Sequence, residues 1–279
     1  MDFLRSMAIP LAFLLTAGFG QVSSLEAAGA DGVSAPVQPA SKDNPLKELW
    51  SGKRWASETT QSMQDDEFAN PAGPWAAIGE EEWNKVEGDA GKSCASCHQD
   101  ASESMKGVGT RYPVYFEPWK KMMALEQRIN HCRENAMKAK PYKWESDQML
   151  GMVIHIKSQS RGMPVNVKVD GDAAPFFEKG KEFYYQRRGQ LDMACKHCHE
   201  GNYGQHIRSE TLSQGQSNGF PTYRLKWQKV GSLHRRFKGC NEQVRAQAHE
   251  SGSDEYVNLE LYLAWRGNGL PVETPSVRR

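Results

Sequence analysis

Two tandem copies of a small all-α domain are what this sequence predicts. Three observations predict it: a five-residue cysteine and histidine motif that occurs twice, an internal repeat downstream of each copy, and apolar residues at helical spacing inside the repeats. The 279 residues carry 35 basic and 34 acidic side chains, so a formal charge of +1 gives no electrostatic argument for nucleic acid or a polyanionic surface as partner. Hydrophobic residues make up 38%, below the roughly 45–50% of an ordinary globular domain. A mean hydropathy of −0.70 excludes a polytopic membrane protein. The length allows two domains, and small, lean domains are usually stapled by a disulfide, a metal or a cofactor.

The chain opens with Arg5, an apolar run from Met7 to Gly18, and Ala28-Gly29-Ala30, an A-x-A cleavage pattern. This predicts a cleaved secretory signal over residues 1–30. The apolar run falls short of the roughly twenty residues that cross a bilayer, so the mature form is expected without a membrane anchor. Its loss removes Asp2, Arg5 and Glu26 and leaves a mature charge of +2. Residues 31–43, rich in Ala, Gly, Pro and Ser, read as a flexible mature start.

Four of the six cysteines form two C-x-x-C-H motifs, Cys94-Ala95-Ser96-Cys97-His98 and Cys195-Lys196-His197-Cys198-His199. Two thiols three residues apart on a helical turn can each form a thioether to one haem vinyl group, and the following His then reaches the iron as proximal ligand. A zinc ribbon would spend four ligands on one metal, and a thioredoxin-type dithiol lacks the His. The expectation is therefore two covalently attached c-type haems (iron), with Cys94, Cys97, Cys195 and Cys198 as attachment points and His98 and His199 as proximal ligands. His197 lies inside the spacer and is not expected to ligate. The fold becomes two cytochrome-c-like domains, each with one haem whose porphyrin adds the apolar surface the sequence lacks. Trp119, Trp144, Trp227 and Trp265 can then pack on haem or serve as ordinary core.

At an offset of 108, Pro113, Tyr115, Trp119, Leu125, Arg128 and Cys132 fall on Pro221, Tyr223, Trp227, Leu233, Arg236 and Cys240. At an offset of 107, Ser146-Asp147 falls on Ser253-Asp254, and Gly162-Met163-Pro164-Val165 on Gly269-Leu270-Pro271-Val272. The haem motifs are offset by 101, so the second copy carries seven additional residues, placed in the polar stretch Gly201 to Gly219 and read as a surface loop. Apolar spacing predicts helices over Tyr115 to Met137, Asp147 to Lys157, Leu225 to Phe237 and Asp254 to Trp265, with Ser146 and Ser253 as N-caps. The domains are expected at 44–165 and 173–279, joined by a linker at 166–172.

No Met follows Met193, so the second haem cannot draw a downstream Met ligand from its own domain. Cys240, His206, His234, His249 and a lysine remain. The repeat favours thiolate ligation by Cys132 and Cys240, since none of the three histidines has a His partner; the alternative is a Cys132–Cys240 disulfide. Thiolate donates electron density and predicts low potentials. Arg128 and Arg236 each lie four residues before a cysteine, on the same helical face. The second neighbourhood adds Arg235 and Lys238 and replaces His131 with Gly239. It suits an anionic substrate, or equally a haem propionate.

With both motifs, Cys132 34 residues after His98, Cys240 41 after His199 and Arg236 four before Cys240, essentially the whole mature chain resembles the SoxA family of sulfur-oxidising dihaem cytochromes c. Some members of that family keep only the second motif. The resemblance implies a periplasmic enzyme, an L-cysteine S-thiosulfotransferase, paired with a monohaem SoxX cytochrome. Such a pair joins thiosulfate to a cysteine of the carrier SoxYZ and releases two electrons. It implies Cys240 as the active-site ligand, Arg236 as substrate-binding residue and Cys132 as distal ligand of the first haem. Two other functions compete: a plain dihaem electron carrier, disfavoured by the missing Met, and a thiosulfate dehydrogenase making tetrathionate, for which paired cysteines are not expected. A dihaem peroxidase would need an open iron site.

Overall fold

The computed structural model describes residues 37–279; the expected signal segment lies outside them. A strand pair comes first, β1 (Val37–Pro39) and β2 (Glu48–Trp50), antiparallel with Val37 opposite Trp50, then helix α1 (Glu58–Asp65). The expected flexible start is thus paired where it is described. Residues 44–50, which chain order places in the first domain, lie on the second copy, while α1 bridges the two, with Met63 against Leu150 and Ile154 and Gln64 Oε1 accepting from Val277 N–H. Leu46 and Leu49 pack on Leu270, and Asn44 Nδ2 donates to the Arg266 carbonyl at 2.9 Å.

The first copy runs α2 (Gly73–Asn84), α3 (Cys94–His98), α4 (Ala101–Ser104), the hairpin β3 (Val114–Phe116) and β4 (Lys121–Met123), α5 (Leu125–Cys132) and α6 (Asp147–Ser158). The second follows with α7 (Ala174–Tyr185), α8 (Cys195–His199), a small hairpin β5 (His206–Ile207) and β6 (Glu210–Thr211), the hairpin β7 (Thr222–Arg224) and β8 (Lys229–Gly231), α9 (Leu233–Gln243), α10 (Asp254–Arg266) and β9 (Ser276–Arg278), which pairs parallel to β7. Helices dominate. The helices expected from Tyr115 and Leu225 begin only at Leu125 and Leu233, because each stretch first makes a hairpin. Lys120 and Gln228 sit at equivalent tight turns with φ of 50°, a left-handed conformation that no helix continues through. Both predicted caps form: Ser146 Oγ accepts from Met149 N–H and Ser253 Oγ from Tyr256 N–H.

Pro74 and Pro175 start α2 and α7, extending the repeat upstream of the haem motifs. Each then crosses the last helix of its copy at a glycine. A Cβ on Gly79 would stand 2.1 Å from the Gly151 carbonyl oxygen, and one on Gly180 2.0 Å from that of Asn258. Only a hydrogen allows this approach, which fixes the helix leading into each cysteine motif.

The copies interlock. Met122, Ala124, Val165 and Val167 share one core with Val257, Leu261, Ala264 and Val272. The repeated tetrapeptides pair with each other about a pseudo-two-fold axis. Gly162 N–H donates to Val272 O at 2.9 Å and Gly269 N–H to Val165 O at 2.8 Å; Val165 N–H donates to Leu270 O and Val272 N–H to Met163 O. The expected linker is drawn into this seam, with Val167 buried and both its backbone groups held by the Asn268 amide, at 2.9 and 3.2 Å.

Candidate functional site

Helix α8 is short and capped from within. Ala194 N–H donates to His197 Nδ1 at 2.9 Å, just as Ser93 N–H donates to Ser96 Oγ at 3.0 Å in the first motif. His197 is therefore a capping residue, as the spacer position suggested. His199 Nδ1 donates to the Ser213 carbonyl at 2.8 Å, which leaves Nε2 as the lone-pair nitrogen. Burial pushes its pKa down to about 4, so the ring is neutral and ready to ligate at ordinary pH. Gly215, at φ 73°, lies against the ring, and a Cβ there would meet His199 Cγ at 2.8 Å.

The segment over His199 is not the surface loop its composition suggested. Gln214, Gln216 and Asn218 are buried. Two of these amides satisfy backbone that the fold buries: Gln214 Oε1 accepts from Trp50 N–H at 2.8 Å, Gln214 Nε2 donates to Glu48 O at 3.0 Å, and Asn218 Nδ2 donates to Pro271 O at 2.8 Å. Polar composition here clamps chain segments together.

Cys195, Cys198, His199, Arg236 and Cys240 all line one cavity of about 1440 Å³. α9 carries Cys240, with Arg236 one turn earlier. Leu233, Phe237, Leu259 and Leu263 form apolar wall, and Trp50 and Trp55 close the side reached by the N-terminal segment. Gly239 has nothing within 4 Å of where a Cβ would be, so the approach beside Cys240 is open. Burial pushes the Cys195 thiol up to about 12, an unreactive sulfur unless it is covalently bonded. Tyr184 Oη and two nitrogens of Arg188, Nε and Nη1, are buried in this cavity's wall without hydrogen-bond partners. Orphaned donors around an apolar space, with a Cys-Cys-His set on one wall and a cysteine on α9, fit a covalently held haem bearing acidic groups.

Of the other ligand candidates, His206 lies exposed at the rim. His234 is sandwiched between Trp144 and Phe237, and His249 packs on Phe183; neither lines the cavity. Nor do the four tryptophans offered as candidates to pack on haem: Trp144 stacks on His234, Trp265 packs on Phe177, Trp227 lies under Arg235 and Trp119 packs on Phe116. They serve the scaffold, and the cavity tryptophans, Trp50 and Trp55, come from outside the repeat. Among the described residues no two cysteines are bonded.

The first motif is built alike and dressed differently. Cys97 and His98 are exposed, and no counterpart of the 201–219 segment covers them. Burial pushes Cys94 up to about 11. Cys132, half-buried, ends α5 next to His131, whose ring lies 5.1 Å from Phe116 and 5.5 Å from Trp119. Arg128 sits 5.7 Å over Phe116. Where the second copy has Arg188, the first has Glu87, neutralised by Arg133 at 2.6 Å. Where the second has Arg224, the first has Phe116. The first exchange lies upstream of the motifs, at their own offset of 101, where the sequence shows no obvious repeat; the second lies inside the repeat at offset 108, where the identities around it draw the eye away from a single differing position.

A family model described as the SoxA/TsdA cytochrome c domain matches residues 78–165. The L-cysteine S-thiosulfotransferase subunit SoxA of Pseudaminobacter salicylatoxidans is 46% identical over 86% of this chain and 84% of its own. The same subunit of Paracoccus pantotrophus is 44% identical over 93% and 89%. A chain in the crystal structure of SoxXA from P. pantotrophus superposes with a TM-score of 0.81 at 46% identity, covering 84% of this chain and 89% of that one. The chain belongs to the SoxA family of L-cysteine S-thiosulfotransferase subunits.

Proposed function

We propose that this chain acts as an L-cysteine S-thiosulfotransferase subunit that binds thiosulfate beside Cys240 and couples it oxidatively to a cysteine of a carrier protein of the SoxYZ kind. The observation that carries this reading is the single cavity holding Cys195, Cys198, His199, Cys240 and Arg236, apolar within and cationic at its edge. In the reaction the outer sulfur of thiosulfate forms a sulfur–sulfur bond with the carrier thiol, the thiol loses its proton, and two electrons leave. Cys195 and Cys198 would attach a c-type haem, His199 and Cys240 would ligate its iron, and the group would supply the electron acceptor for the reaction. Arg236 attracts the dianion, and Gly239 leaves room for it beside Cys240.

The same reading gives two cytochrome c domains and two haems, the first held by Cys94, Cys97, His98 and Cys132. The aromatic cluster around His131 and the cancelled charge at Glu87 suit electron transfer rather than substrate turnover. The partner is a small monohaem cytochrome of the SoxX kind, as in the SoxXA complex whose subunit this fold resembles. Export to the periplasm follows from the leading segment. Among the described residues no helix is long and apolar enough to cross a membrane.

The test is the mass of a carrier protein with one C-terminal cysteine after incubation with thiosulfate, an oxidant and this chain together with its small cytochrome. The expected result is a thiosulfonate adduct that disappears with Cys240→Ala and persists with Cys132→Ala. Tetrathionate without adduct would replace the reading with a dehydrogenase, and neither product would leave an electron carrier.

A further inference from the structure

Arg224 ends β7, almost wholly buried, and lines the same cavity as Arg236 and Cys240. Its counterpart in the first copy is Phe116, which packs on Trp119 and on the ring of His131. At one position of a shared scaffold, an aromatic side chain has been exchanged for a guanidinium that lines the second cysteine's cavity. Burying an arginine is costly unless something needs it, and substitution by an aromatic is what the same fold tolerates elsewhere.

The side chain is held on one edge. Arg224 Nη2 donates to Glu210 at 3.1 Å and Nε to the Arg279 main-chain oxygen at 2.7 Å, with the guanidinium 5.1 Å over Trp227. Glu210 stands in the 201–219 segment, which lies in a stretch seven residues longer than its counterpart in the first copy, and it is shared with Lys226. The longer stretch therefore brings the anchor for this arginine. Nη1 donates no hydrogen bond to the described residues. Burial, and then the charge of Arg236, push the Arg224 pKa down, while Glu210 and, last, Cys240 oppose the shift. Two like charges turned toward one space raise their mutual energy until an anion enters between them.

We propose that Arg224 is the second arm of an oxyanion clamp, which with Arg236 grips the sulfonate end of a thiosulfate-class dianion so that its outer sulfur faces Cys240. This rests on the thiosulfotransferase reading of the site and adds its specificity element. Arg224 selects for a doubly charged, three-oxygen head group, and it takes no part in recognising the carrier thiol.

The experiment uses the holoprotein complex, with thiosulfate as substrate and inorganic sulfate as an unreactive probe. Sulfate affinity is read both by competition and by the change it causes in the haem absorption spectrum, so binding is measured apart from turnover. Arg224→Gln is expected to raise the KM for thiosulfate and the dissociation constant for sulfate together by about 10–100-fold, the loss of one charge-assisted contact. The KM for the carrier and the spectrum without anion should not change. Arg224→Lys, which keeps the charge and loses the planar fork, should fall between; if the Gln variant does not accumulate with haem, the Lys variant decides on the same two constants. Unchanged thiosulfate KM and sulfate affinity would overturn the clamp. So would a shift in haem potential or haem content without a change in anion affinity, which would make Arg224 a propionate partner. Failure of the unaltered complex to form any carrier adduct would strike the functional reading itself, whereas intact sulfate binding in Arg224→Gln strikes only the clamp.

Discussion

Replacing Glu126 with Gln is expected to flatten the dependence of stability on pH between about pH 5 and 8. Glu126 opens α5 six residues before Cys132, and its repeat partner His234 opens α9 six residues before Cys240. They meet Glu260 of α10 and Lys157 of α6 around a cavity of about 30 Å³ between the two copies. His234 Nδ1 accepts from Gly252 N–H at 3.0 Å, so the neutral ring carries its hydrogen on Nε2 and donates it to Glu260 at 3.1 Å. No such donor reaches Glu126 from a neighbouring side chain. Burial, reinforced by the Glu260 charge, pushes its carboxyl from 4.5 up to about 7, while burial pushes the Lys157 amine down. The folded state therefore holds a proton that the unfolded chain gives up. This contribution is whole only below the unfolded value of 4.5, is lost steadily as pH rises from there toward about 7, and is gone above it. At ~1.4 kcal/mol per pH unit the gap sets a ceiling of about 3 kcal/mol, and nearby Lys157 reduces it, so a loss of about 1–3 kcal/mol is expected. Urea unfolding of the holoprotein at closely spaced pH values measures it. The difference between wild type and Glu126→Gln isolates this carboxyl, because every other group titrates in both. A difference that stays constant from pH 5 to 8.5 would refute the reasoning.

Two further outcomes follow from the scaffold. Gly180→Ala would press a methyl group onto the Asn258 carbonyl and should cost at least about 2 kcal/mol, a fall of several degrees in Tm, whereas Gly73→Ala, with nothing within 4 Å, should leave Tm roughly unchanged. Equal effects of the two would show that the helix crossing is looser than described. Gln214→Ala removes both hydrogen bonds that tie β2 to the second copy and should speed hydrogen exchange across residues 46–52 with no change in α2 and α6; unaltered exchange there would mean that Leu46 and Leu49 hold the segment alone.

The parts of this molecule legible in its sequence are those where local chemistry dictates position. The C-x-x-C-H spacing places three side chains on one helical turn, Ser146 and Ser253 cap helices where their spacing said they would, and Cys132 and Cys240 align because the scaffold between them is duplicated. The hairpins were missed because Tyr115, Trp119, Tyr223 and Trp227 satisfy a helical and a strand pattern alike, and one left-handed residue, Lys120 or Gln228, decides between them. Polar composition misled in the 201–219 segment, where Gln214 and Asn218 bury their amides to pair with backbone rather than with water. Nor does any local pattern announce that Trp50 and Trp55, well over a hundred residues before Cys195, wall its cavity; that contact exists only once β1 and β2 fold back across the second copy.

Duplication makes the asymmetry of the two cysteines interpretable. Cys132 and Cys240 end the same kind of helix, launched from the same pseudo-two-fold seam, so backbone placement cannot be what separates them. Among the exchanges at matched positions, Glu87 for Arg188, Phe116 for Arg224 and His131 for Gly239 move the second site toward positive charge and open space. Arg133, matched by Asn241, runs the other way, and in the first copy it cancels the charge of Glu87, while Phe116 and His131 pack on each other. The longer 201–219 stretch adds to the divergence, since it supplies both Ser213 to orient His199 and Glu210 to hold Arg224. One stretch thus serves the ligand and the cationic wall together. That coupling is why the extra residues belong between the second haem motif and its cysteine, where they can touch both sides of the cavity.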